Sequence, residues 1–218
     1  MLDFGYYNMD CMEGMKEFPD KYFDLCIVDP PYGLGSSVVN SSGCFARYTN
    51  KNGNWDMAVP SQEYFNELFR ISKNQIIWGG NYFNLPPTKC FLIWDKRLPQ
   101  GVSFASCEFA WTSFSSVAKT FYFRPQGQEE RFHPTQKPIA LYTWLLNNYA
   151  KKGDKILDTH VGSASSLIAC HNLGFQYVGF EIDKEYYEES LKRLEAHKSQ
   201  VSLLDITKAD NEQIVIGE

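Results

Sequence analysis

The chain has no apolar run of about 18 residues, the length that a membrane-spanning helix needs. Residues 1–10 lack the basic-then-apolar order of a secretory leader. No C-x-x-C pair occurs among the six cysteines, Cys11, Cys26, Cys44, Cys90, Cys107 and Cys170. Thiols scattered in this way argue against a zinc site or a disulfide framework and fit reduced cysteines in a cytosolic protein. The pattern G-x-G-x-x-G is missing too, which disfavours a dinucleotide held by its pyrophosphate. Positive charge is also in deficit. A net charge of −5 argues against a protein that simply coats nucleic acid.

The 218 residues suffice for one domain, or one domain with an inserted lobe. Charge along them is uneven. Residues 1–29 carry two Lys/Arg against seven Asp/Glu, residues 30–137 eleven against seven, and residues 138–218 eight against twelve. A positive middle between acidic ends is compatible with a local phosphate-contacting face.

Hydrophobic spacing predicts an alternation of strands and helices. Strands are expected over 6–9, 23–28, 75–78, 91–94, 108–111, 120–123, 155–157 and 177–180. Helices are expected around Met12, Met15 and Phe18, over 62–72 behind the N-cap Ser61, over 138–150 with Pro138 in the first turn, after Ser165, and over 184–197. This alternation predicts an α/β fold, a mostly parallel sheet with helices on both faces. One domain would span 1–198, with residues 95–131 as a small inserted recognition region and 199–218 as a polar tail. Residues 34–55, rich in Gly, Ser and Asn, read as a lid or DNA loop.

Sites in parallel sheets lie beyond the carboxyl ends of strands. Asp10, Asp29, Asp158 and Glu181 all fall at such ends, more acids than turn preference produces. Asp29-Pro30-Pro31-Tyr32 closes the apolar run Phe23–Val28. The two prolines fix φ and remove N–H donors, which leaves an acceptor-rich corner beside a flat ring. Such a corner can hold a planar –NH2 group by its hydrogens while the ring stacks on the attached base.

A second constellation begins at Asp158 and continues through Thr159, His160, Val161, Gly162, Ser163, Ala164 and Ser165. A strand, a small-residue loop and a helix N-terminus let backbone N–H groups approach a ligand. The next strand ends at Glu181, with Ile182 and Asp183 behind it, where an acid can bind a ribose diol. A nucleoside carrying a small carboxylate fits better than a dinucleotide, and S-adenosylmethionine is one such ligand.

These two stretches, with His133-Pro134-Thr135-Gln136-Lys137-Pro138 between them, resemble the DNA amino-methyltransferases that act on N6 of adenine or N4 of cytosine. The order, tetrapeptide before cofactor loop, is similar to that of the permuted β class, and the likeness spans about residues 6–197. The resemblance implies a circularly permuted, Rossmann-like methyltransferase fold with S-adenosylmethionine as cofactor. It implies catalytic roles for Asp29, Pro30, Pro31 and Tyr32. Cofactor contacts are implied for Asp10, Cys11, Asp29, His133, Thr135, Gln136, Lys137, Asp158, His160, Gly162, Ser163, Ala164, Ser165, Glu181, Ile182 and Asp183. Permutation would set the N-terminal strand beside the one ending at Glu181, so Asp10 would face the cofactor's adenine.

His160 stands where the family commonly has Phe, and Ala164 where it has Gly. An Asp at the first catalytic position resembles adenine-specific members, since many cytosine-N4 members have Ser there. The resemblance further implies double-stranded DNA as partner, a homodimer, a companion restriction enzyme as an open question, and a bacterial or phage-infected cytoplasm. Arg47, Lys51, Arg97 and Arg124 are the expected DNA contacts. Cytosine-N4 transfer, an RNA or protein-amide substrate, and a non-catalytic DNA-binding partner stay open as alternatives.

Overall fold

The computed structural model describes residues 1–34, 58–99, 101, 105–124, 133, 135–200 and, as backbone alone, 201–215. The order of elements is β1 (Gly5–Asn8), α1 (Cys11–Lys16), β2 (Phe23–Val28), α2 (Gln62–Ile71), β3 (Ser72–Trp78), a 3-10 turn (Gly80–Tyr82), β4 (Phe91–Asp95), β5 (Cys107–Thr112) and β6 (Lys119–Tyr122). Then follow α3 (Ile139–Tyr149), β7 (Lys155–Asp158), α4 (Ser165–Asn172), β8 (Gln176–Glu181) and α5 (Lys184–Val215).

The eight strands form one sheet in the order β1-β8-β7-β2-β3-β5-β4-β6. Every pairing is parallel except the two made by β5. The carboxyl ends of seven strands therefore share one edge with the amino end of β5. The N-terminal strand lies beside β8, with Asn8 in register with Glu181, as a permuted order requires.

β2 shows why its sequence is continuously apolar. Leu25 and Ile27 pack on one face with Leu141, Tyr142, Leu145 and Leu146 of α3. Cys26 and Val28 pack on the other with Met15 of α1 and with Tyr64, Phe65, Leu68 and Ile71 of α2. A strand covered on both sides has no solvent face on which to alternate. In α2 the buried positions recur at helical spacing, which turns that stripe onto the sheet. Each fully buried apolar side chain of this kind contributes roughly 1.5–3 kcal/mol.

Three expectations shift. Pro138 has extended backbone (φ −71°, ψ 147°) and stands at the N-cap of α3 rather than in its first turn. α2 passes straight into β3, with the Ser72 hydroxyl donating to the Leu68 carbonyl at 2.5 Å. The closing helix, expected to stop at 197, runs on to Val215 through the segment read as a tail. The strands inside 95–131 extend the main sheet. Nearly all of the expected lid, with Arg47 and Lys51, lies outside the described residues. Among the described residues no helix is long and apolar enough to cross a membrane.

Candidate active site

Asp29 leaves the end of β2 with 15 % of its side chain exposed. Tyr32 donates its hydroxyl to Asp29 Oδ1 at 2.5 Å, and the Lys137 ammonium donates to Oδ2. Lys137, only 3 % exposed, also lies 3.0 Å from Glu108 Oε2. Glu108 Oε1 in turn meets Lys96 at 2.6 Å. Two carboxylates and two ammonium groups thus alternate from β2 outward across β5 and β4. Burial raises the Asp29 carboxyl above its usual range, Lys137 opposes that rise and Glu108 adds to it. Burial works in the same direction on Glu108, but Lys137 and Lys96 together hold it down at about 2. Burial also disfavours charge on Lys137, yet Asp29 and Glu108 raise it above the ordinary lysine value.

The Tyr32 ring is stacked on Tyr82, with centroids 5.0 Å apart and planes at 17°. Gly79 ends β3 with φ +68°, and a Cβ there would lie 2.2 Å from Tyr32 Cε1. Glycine is needed twice at this position, for the left-handed backbone and for the close approach of the ring. Tyr82 itself is 46 % exposed.

The second constellation lies along the same edge. Asp158, 2 % exposed, accepts from the His160 N–H at 3.0 Å and from the Ser166 hydroxyl at 2.5 Å. Burial pushes its carboxyl up to about 7, with Ser166 and His160 resisting and the charges of Asp29 and Glu181 adding to the push. Glu181 accepts from the N–H groups of Gly162 and Asp183, both at 2.9 Å, and so ties the loop to the turn after β8. Burial raises its carboxyl as well. Asp10 caps α1 by accepting from Met12 N at 2.7 Å, and Met9 N donates to the Glu181 carbonyl at 3.1 Å. This joins Asp10 and Cys11 to the Glu181 end of the sheet.

His160 bonds Thr159 Oγ1 at 2.9 Å and meets Tyr64 edge-on at 5.4 Å. His133 meets Tyr186 edge-on at 4.5 Å and lies beside Gly162, and the Thr135 hydroxyl is 3.3 Å from His133 Nδ1. Burial depresses both imidazoles to about 4, so both are neutral at pH 7. Ala164 adopts φ +61° and is fully buried. The αL cost of a non-glycine residue, about 1–2 kcal/mol, is offset in part by its packed methyl. Arg193 donates to the Ser163 carbonyl at 2.6 Å and to Ser165 Oγ at 2.9 Å, which braces the loop from α5. Gln136 is buried, while Ile182 is exposed.

Of the expected DNA contacts, Arg97 and Arg124 are described, and both are exposed beyond the carboxyl ends of β4 and β6. The Arg97 guanidinium stacks over Tyr122 at 4.3 Å. Glu108, Lys96, Tyr82 and Ser166 were not among the expected site residues. Glu108 did carry a signal, an acid in an apolar strand on the same parity as buried Ala110. Lys137, expected at the cofactor, is paired with the Asp29 carboxylate.

Sheet order, permutation and an acid-lined carboxyl edge define the Rossmann-like methyltransferase fold. Residues 78–192 match the family described as DNA methylase, of the N6/N4 type. The type II methyltransferase M2.DpnII of Streptococcus pneumoniae is 42% identical to this chain across 88% of the chain and 92% of its own length. The chain belongs to this DNA methylase family. The crystal structure of an M1.HpyAVI–SAM complex superposes with a TM-score of 0.59 at 21% identity, covering 87% of this chain and 98% of that one. The PvuII DNA methyltransferase, described as cytosine-N4-specific, superposes with a TM-score of 0.61 at 12% identity, covering 91% of each chain.

Proposed function

We infer that this protein methylates the exocyclic N6 of an adenine flipped out of double-stranded DNA, using S-adenosylmethionine. The observation that carries the reading is Asp29, a carboxylate at the end of a buried strand with Tyr32 beside it and Lys137 behind it. An Asp at this position resembles the adenine-specific members of the family, many cytosine-N4 members having Ser there. A second reading, transfer to N4 of cytosine, is favoured by the likeness to a cytosine-N4-specific enzyme.

The residues fit the cofactor. Asp158 and Glu181 are buried acids whose charge is under-compensated, as their raised carboxyls attest. A cationic ligand relieves that strain. The 158–165 loop with Glu181, Asp10 and His133 would hold it, and when bound it supplies an electrophilic methyl group on a sulfonium. Asp29 and the Pro30 carbonyl accept the two hydrogens of the target amine. That directs the nitrogen lone pair, otherwise delocalised into the base, toward the methyl. With the methyl passed to nitrogen and its bond to sulfur broken, leaving a neutral thioether, the amine proton would be acidic, and Asp29 is placed to accept it. A base inside a duplex cannot reach this edge, so it is flipped out and stacked on Tyr32. Arg97 and Arg124 contact the DNA backbone or base edges, and a second copy of the chain completes the reading of a DNA site.

The direct test is methyl transfer from labelled cofactor to unmethylated duplex DNA, followed by nucleoside mass spectrometry. N6-methyladenine is expected. N4-methylcytosine would overturn the base assignment alone, and label confined to RNA or protein would overturn the substrate class. Tyr32→Ala should lose roughly 1–3 kcal/mol of base stacking, about a 5- to 150-fold loss in kcat/KM for DNA. Gly79→Ala should lose a similar amount by displacing the Tyr32 ring, while cofactor affinity stays within about twofold of wild type. Unchanged DNA kinetics in both variants would count against the stacked-base pose.

A further inference from the structure

The ladder Asp29–Lys137–Glu108–Lys96 has a direction. Lys137 is almost wholly buried between two carboxylates, and Glu108 holds a second ammonium, that of Lys96. Glu108 is therefore paired from both sides, while Asp29, among the described residues, shares one cation and accepts a Tyr32 hydroxyl. If Asp29 takes a proton, Lys137 still has Glu108 and keeps its charge and place. We propose that Lys137, anchored by Glu108 and Lys96, is a positioning residue that orients Asp29 toward the target amine and sets the pH at which Asp29 is ionised. Glu108 acts in two ways: it fixes Lys137, and as a nearby like charge it disfavours the Asp29 anion. The inference rests on Asp29 being the acceptor for the target amine.

The charged and titratable groups around Asp29 come from several elements. Among the described residues they are Lys137 ahead of α3, Glu108 on β5, Tyr32 in the same turn, Asp158 at the end of β7 and Tyr142 on α3. Asp158 titrates in the cofactor loop, so its ionisation appears in cofactor affinity. Single-turnover transfer at saturating S-adenosylmethionine and DNA isolates Asp29.

The experiment is the pH profile of that single-turnover rate for wild type, Lys137→Met, Glu108→Gln and Lys96→Met. Lys137→Met removes the compensating cation, so the acid limb should rise by about 1–3 pH units. Glu108→Gln removes a like charge and should lower the limb by up to about one unit. Lys96→Met leaves Glu108 more negative toward Lys137 and Asp29 and should raise the limb slightly, by less than Lys137→Met. Cofactor binding reports that each variant is folded, and if Lys137→Met is not, the opposite shifts of the other two carry the test. Limbs that do not move, that move in one direction in all variants, or that are absent in all four proteins overturn the proposal. Activity surviving in Asp29→Ala would instead overturn the proposed function beneath it. An inactive Asp29→Ala with unmoved limbs overturns this inference alone.

Discussion

Asp29→Ala is expected to lower single-turnover methyl transfer by at least about 10³-fold, with S-adenosylmethionine affinity within a few-fold of wild type. In the proposed mechanism the side chain acts twice, accepting an amine hydrogen before the methyl arrives and the proton that leaves afterwards, so the loss should be large. The fold should survive, since Glu108 keeps Lys137 paired at 3.0 Å when the Asp29 carboxylate is gone. Burial also raises the Asp29 carboxyl, so its removal relieves a desolvated group rather than a stabilising one. Asp29→Asn should be nearly as inactive. Its amide can place only one oxygen in the site: with its NH2 toward Lys137 it sets donor against donor, and with its NH2 toward Tyr32 it leaves a donor where the incoming amine needs an acceptor. Transfer of labelled methyl to duplex DNA under single-turnover conditions, with cofactor affinity measured in parallel, checks both variants. Activity near wild type in Asp29→Ala would remove the carboxylate from the chemistry.

The residues of this site differed in how far the sequence exposed them. β2 was legible from end to end, because a strand packed on both faces must be apolar at every position, and its last residue is followed at once by Asp29. Asp10, Asp158 and Glu181 were legible as acids at strand ends, and the pairing of β1 with β8 followed from the order of motifs. The ladder was not legible. Glu108 meets Lys137 only because β5 runs antiparallel between β3 and β4 and so brings its amino end to the edge where every other strand ends. Short apolar strands with similar patterns do not encode which neighbour each will choose, so neither β5's direction nor the order β3-β5-β4-β6 could be read in advance. That Lys137 bridges two carboxylates in space could not be read from its neighbours in sequence. The length of α5 was missed for another reason. Beyond residue 200 polar residues dominate, and a helix with a sparse apolar stripe resembles a tail.

Asp158→Asn is expected to make the free protein more stable above neutral pH and a poorer cofactor binder. The folded protein raises this carboxyl from 3.8 to about 7, chiefly by burial. A raised acid favours its protonated form in the fold, so its contribution to stability is full below about pH 3.8 and is lost as pH climbs toward about 7. By pH 8 the penalty amounts to about 4 kcal/mol, since each pKa unit is worth about 1.4 kcal/mol. Asparagine escapes it. Its oxygen still accepts from the His160 N–H, and the Ser166 hydroxyl can turn to accept from the new amide. With imperfect replacement of the bonds, a gain of about 1–3 kcal/mol at pH 8 corresponds to a rise in Tm of roughly 2–12 °C, shrinking as pH falls toward 5. The cofactor responds in the opposite sense. If the ionised carboxyl helps hold a cationic ligand at this edge, as proposed, wild-type affinity should fall as pH drops below about 7, and Asp158→Asn should show weaker, less pH-dependent binding. Thermal melts and cofactor titrations at pH 5.5 and pH 8 test the two halves separately. A Tm gain that ignores pH would mean the aspartate is not the strained group, and unchanged affinity would mean its charge does not serve the cofactor. Both outcomes as expected would show a binding carboxylate kept at a stability cost in the free enzyme and relieved when its ligand arrives.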